Sequence, residues 1–176
     1  MRQKILITGL LLSSLASFTL SCKKEGALKQ QQPQEELATA IGTANNPTFN
    51  LEVILRGENG RLGHIKFRQD VDPSKIIILD TWVRDLESNH QYLLQRAVDA
   101  VNVVDGDCTS TSWLTLGKGL TPQSILTNDN GKGSEELWRD VSTAASGTAF
   151  DIHFRIVDAS TMAVVLNSDC YQYVVR

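Results

Sequence analysis

The chain reads as an all-β protein: an antiparallel β-sandwich of about seven to nine strands over residues 48–176. Three observations lead there. Phe49, Leu51, Val53 and Leu55 alternate with Asn50, Glu52, Ile54 and Arg56, the two-residue period of a strand with one wet face. The period returns late, where Phe150, Ile152, Phe154 and Ile156 interleave with Asp151, His153, Arg155 and Val157. Between them, short apolar runs are separated by Gly, Pro, Asn, Asp and Ser, as in sandwiches of short strands.

The elements follow in order. After the first strand, Gly57–Gly63 holds three glycines with Glu58, Asn59 and Arg61, and reads as a hairpin loop. Ile65 and Phe67 alternate with His64, Lys66 and Arg68 in a second strand, and Pro73 marks the turn at 70–74. The run Ile76, Ile77, Ile78 and Leu79, within 75–86, predicts a central strand covered on both faces. Residues 92–104 fit a helix face or a strand; the valines and flanking turns favour a strand. Residues 105–112 read as a loop, and Trp113, Leu114 and Leu116 as a short strand limited by Gly117 and Gly119. Pro122 puts 119–126 at an edge or bend, and Asn128-Asp129-Asn130-Gly131 signals a tight turn. Residues 134–141 suit a strand or one helical turn capped by Ser134. The closing hairpin runs from Phe150 to Val175, with a bulge expected at 167–169. No repeat of fixed period is visible.

Before this domain lies a leader. Arg2 and Lys4 precede Ile5–Leu20, a run of about sixteen uncharged residues where a spanning helix wants roughly twenty. Ser21 and Cys22 follow. The stretch Thr19, Leu20, Ser21 and Cys22 resembles the lipobox of bacterial lipoproteins, with threonine where those usually have leucine. The resemblance implies residues 1–21 as a lipoprotein signal peptide, Cys22 as the acylated residue, and an outer-membrane anchorage on the periplasmic face or the cell surface. Two or three acyl chains hold a protein stably where one does not. Lys23-Lys24-Glu25 is either an export signal of the kind some Gram-negative surface lipoproteins carry or the solvated start of a linker. Residues 22–47, rich in Gln and Glu and without aromatics, are expected to form a flexible tether.

Composition narrows the rest. Formal charge is −3, and losing Arg2 and Lys4 brings it to about −5, which argues against a nucleic-acid partner and against electrostatic membrane binding. Residues 48–176 suffice for one domain with a core. With Cys22 lipidated, Cys108 and Cys170 remain as an even pair, read as a disulfide in an oxidising envelope rather than two buried thiols.

The broad pattern of the 86–92 corner, the Asn-Gly turn and the closing hairpin resembles antiparallel sandwich modules of secreted proteins, including immunoglobulin-like, superoxide dismutase-like and chordin-type domains. That likeness is architectural and transfers no functional residue. A superoxide dismutase-like metal site would need clustered histidines, and His64, His90 and His153 form no close pair in sequence. Calcium would need six to eight oxygens; Asp70, Asp72, Asp105, Asp107 and Asp129 sit in turns where aspartate serves turn geometry. There is no nucleophile elbow and no phosphate loop, and Asp80, Asp85 and Asp151 are the carboxylates considered for glycoside chemistry. No cofactor and no catalysis are expected. Trp82, Trp113 and Trp138 are assigned to the core, the alternative being an exposed ring that stacks on sugar or anchors a protein. The expected role is therefore binding or structural; the alternative is a small envelope enzyme or metal-dependent module on the same fold.

Overall fold

The computed structural model describes residues 48–176. The leader, Cys22 and the 22–47 segment lie outside the described residues. Twelve strands form: β1 (Phe49–Arg56), β2 (Leu62–Gln69), β3 (Ile76–Arg84), β4 (Gln91–Val98), β5 (Leu114–Thr115), β6 (Gly117–Lys118), β7 (Thr121–Pro122), β8 (Ser124–Leu126), β9 (Gly133–Asp140), β10 (Ala149–Asp158), β11 (Val164–Ser168) and β12 (Tyr171–Val174). They make one sheet in the order β5-β4-β10-β11-β1-β2-β3-β9-β6-β7, with β12 also on β10 and β8 also on β4.

The sheet is nearly closed, and five residues bring its ends together. Thr115 pairs antiparallel with Gln95 of β4, while Lys118 lies beside Trp138 of β9 in the one parallel contact. Between them Leu116 N–H donates to Leu94 O at 2.8 Å, and just after Lys118 the Gly119 N–H donates to Trp138 O at 3.0 Å. The crossing is tight enough to demand glycine: a Cβ at Gly117 would lie 1.9 Å from Thr121 O. Closure leaves few edges to pair with other chains.

Twelve strands exceed the seven to nine expected. The 114–126 segment, broken by Gly117, Gly119 and Pro122, contributes four pieces of two or three residues each. The closing strand is also split in two. Arg155 pairs with Asn167, but Ile152 pairs with Tyr171, a one-residue shift that places the bulge near the expected 167–169. Ser168 Oγ fills the gap, accepting from Phe154 N–H at 2.9 Å. β11 lies between β10 and β1, so Asn167 pairs with both Arg155 and Arg56.

Closure gives each strand one inner face. Phe67 meets Phe154 from across the core at 6.3 Å between ring centroids, and Tyr173 lies 4.9 Å from Phe67. Val53, Leu55, Ile65, Leu94, Ile125, Leu137 and Leu166 have no exposed surface, each worth roughly 1.5–3 kcal/mol of transfer from water. One expectation fails here. In β3 only Ile77, Leu79, Thr81 and Val83 are buried; Ile76 and Ile78 are half-buried and Trp82 exposed. Ile78 explains the unbroken apolar run, because it sits in the outer row between Arg68 and Trp138 rather than beneath a second layer. Of the two segments left open, 134–141 forms a strand over Gly133–Asp140, and β4 stops at Val98, leaving Val101, Val103 and Val104 exposed.

Candidate functional site

The outer face of β1, β2, β3 and β9 carries the most distinctive surface. Trp82 points outward from β3 and is 42% exposed. Its cross-strand neighbours are His64 on β2 and Ser134 on β9. The His64 ring stacks on Trp82 with centroids 5.5 Å apart and planes 19° from parallel. His64 is itself held by Glu52, through Nε2 and a carboxylate oxygen. Ser134 is small, so the side of Trp82 toward β9 opens on a groove lined also by Asp80, Thr81 and Glu136. Asp80 is oriented by Arg68 at 2.5 Å.

Trp138 belongs to the same face and is 37% exposed. It pairs with Ile78, four residues from Trp82 along β3, so the two indoles are separated by roughly 13 Å along the strand direction. Gly119, at φ +67°, makes room for it: a Cβ there would approach the indole to 2.8 Å.

None of the three tryptophans fills the core. Trp113 is half-buried on the outside of β10, with the Arg155 guanidinium 4.0 Å over its ring and the His153 ring at 4.6 Å. Closed around one interior, the sheet fills its core with Phe, Tyr and aliphatic side chains at inward register, and all three indoles fall outside it.

The histidines are not brought together. His64 pairs with Glu52, His90 Nε2 with Asp158 at 2.6 Å, and His153 Nε2 with Ser110 O at 3.0 Å. Among the described residues no group of three or more His, Cys, Asp or Glu side chains is placed to hold a metal. Asp72 and Asp105 serve their own turns, while Asp129 and Asp70 tie theirs to distant residues. Asp72 accepts from Ser74 N–H at 2.7 Å, Asp105 from Asp107 N–H at 3.1 Å, Asp129 from Asn89 Nδ2 at 2.8 Å and Asp70 from Thr48 Oγ1 at 2.9 Å. The Ser74 hydroxyl and amide hold the Asp72 carboxyl below its usual range. Asp80, Asp85 and Asp151 serve three separate partners. Asp85 lies 3.6 Å from Arg84, and buried Asp151 accepts from the N–H groups of Asp105 and Gly106, each at 2.9 Å.

Cys108 and Cys170 are disulfide-bonded, with Cα atoms 5.4 Å apart, tying the long loop after β4 to the short link between β11 and β12. Two residues escaped the reading of the sequence. Arg96 follows Tyr92 and Leu94 on the inner face of β4, and Arg139 follows Leu137 on the inner face of β9. Counting in twos from the buried neighbours would have placed both guanidiniums inward. No protein-family model, no curated protein and no solved structure matches the chain.

Proposed function

We propose that this protein is a lipid-anchored, non-catalytic binding protein of the cell envelope, held at the outer membrane through Cys22, whose domain recognises a neutral glycan across the β1–β2–β3–β9 face. The observation that carries it is the exposed Trp82 ring, backed by His64 on one side and opening on a polar groove on the other. Sugars present apolar C–H faces with hydroxyls at the rim, so an indole bordered by Asp80, Ser134 and Glu136 suits them. The centre of a protein interface is instead depleted of charge. The surrounding carboxylates, Glu52 included, disfavour an acidic sugar.

The anchorage is supported by the 1–22 leader, and the disulfide suits an oxidising compartment. For the fold we favour a flattened closure in which β4 and β10 form one layer of a sandwich over β1, β2, β3 and β9. The approach of Phe67 to Phe154 supports that view.

The test has two arms. Cys22→Ser should move the protein from the membrane to the soluble fraction; an unchanged membrane fraction sinks the anchor. Tryptophan fluorescence of the full chain, titrated with neutral β-linked oligosaccharides, should change saturably and lose that response in Trp82→Ala. A response unaltered by Trp82→Ala, or none with any oligosaccharide, removes the glycan reading.

A further inference from the structure

A second site lies inside the sheet, independent of the tryptophan face. At the end of the sheet where β4 reaches Val98 and β9 reaches Asp140, the core opens into a cavity of about 250 Å³. Its floor is apolar: Phe67, Leu79, Leu116, Ile152, Phe154 and Tyr173. Its walls carry Arg96 and Arg139, from the two strands that the 114–118 crossing brings together.

The two arginines differ in what neutralises them. Arg139 donates to Gly119 O at 3.2 Å and feels the charge of Asp140, a residue at the cavity rim whose carboxylate accepts from Ser142 N–H at 2.7 Å. Arg96 has no such relief. Its guanidinium makes no hydrogen bond or ion pair with any described residue, and the charge that acts on it is that of Arg139. Burial and this like charge both push its pKa down. None of its nitrogens is sealed in the protein, so they stay reachable. A half-buried guanidinium facing a second one above an apolar floor is unfavourable unless an anion joins it. Two guanidiniums and one carboxylate leave a single positive charge.

We propose that this cavity binds a small amphiphilic monocarboxylate, its carboxylate between Arg96 and Arg139 and its apolar tail on Phe67, Ile152 and Phe154. Guanidinium and carboxylate match as paired N–H donors and paired acceptors. At about 30 Å³ per water-sized group the cavity takes on the order of eight non-hydrogen atoms, the size of a medium-chain or simple aromatic acid. A lone head group would forgo the apolar floor.

The test is calorimetric titration of the full chain, carrying Cys22→Ser so that no acyl chain competes, with sodium octanoate, sodium acetate and 1-octanol. Octanoate should bind one-to-one, acetate should not bind measurably, and octanol should bind at least tenfold more weakly than octanoate. Arg96→Met keeps the apolar stem and removes the charge; it should weaken octanoate at least tenfold and leave octanol unchanged. In the unsubstituted cavity, amide and methyl NMR shifts on adding octanoate should centre on Leu79, Leu116 and Ile152, a readout independent of how well the variant folds. Absence of octanoate binding, equal binding of octanoate and octanol, or shifts centred elsewhere would each overturn the assignment. None of these outcomes depends on the glycan face.

Discussion

Removing the disulfide offers a quantitative test of how the domain is held. Cys108 and Cys170 are 62 residues apart in sequence. For a closed loop of that size the chain-entropy relation gives about 4 kcal/mol of stabilisation at 25 °C, acting through the unfolded chain. A domain of about 130 residues unfolds with an entropy near 0.27 kcal/mol/K, so the expected loss of melting temperature is roughly 15 °C. The bonded loop has other fastenings in the folded state. Asp99 accepts from Thr109 N–H at 2.9 Å and Ser110 N–H at 2.7 Å, and Asp151 accepts from Asp105 and Gly106. The native loop should therefore stay in place without the bond. The double variant Cys108→Ala/Cys170→Ala of the full chain should keep its near-ultraviolet circular dichroism and lose about 15 °C. Its urea m-value should rise, because the freed unfolded chain exposes more surface. A melting temperature within about 3 °C of the parent would refute the reasoning, as would collapse of the native spectrum.

Two carboxylates give further predictions. Asp151→Ala leaves two backbone N–H donors without their acceptor and should cost about 2 kcal/mol in urea unfolding, while Asp151→Asn, which keeps an acceptor oxygen, should cost less than about 1 kcal/mol. Equal losses for the two would mean that charge, not hydrogen bonding, matters there. Asp158 accepts from the Ser160 hydroxyl, the Thr161 and Ser160 amides and His90, and these bonds, the Ser160 hydroxyl foremost, hold its carboxyl well below the ordinary value of 3.8. A depressed carboxyl contributes stability that is whole above the unfolded value and drains away as pH falls through the folded one. Asp158→Asn should therefore be less stable at pH 7, with the gap shrinking steadily below about pH 4. A gap constant from pH 7 to pH 2 would contradict this.

Strand identity was legible wherever residues alternate in twos, because a strand's faces repeat with that period whatever surrounds it. Phe49–Arg56, the Asn128–Gly131 turn and the bulge near Ser168 could all be read locally, and an even pair of cysteines was enough to suggest their partnership. Which face became the interior was not local. Ile76–Leu79 looks doubly buried, yet its outer row is lined by Arg68 of the preceding strand and by Trp138 of β9, a strand far along the chain. The tryptophans looked like core until closure of the sheet put Trp82 and Trp138 outside it and left Arg96 and Arg139 facing in. Composition and period report how apolar a segment is and how it is pleated. The side on which water is excluded emerges when β4 and β9 are drawn together by Leu114–Lys118, because that contact encloses one row of side chains on each long strand and leaves the opposite row of β1, β2, β3 and β9 exposed or half-buried.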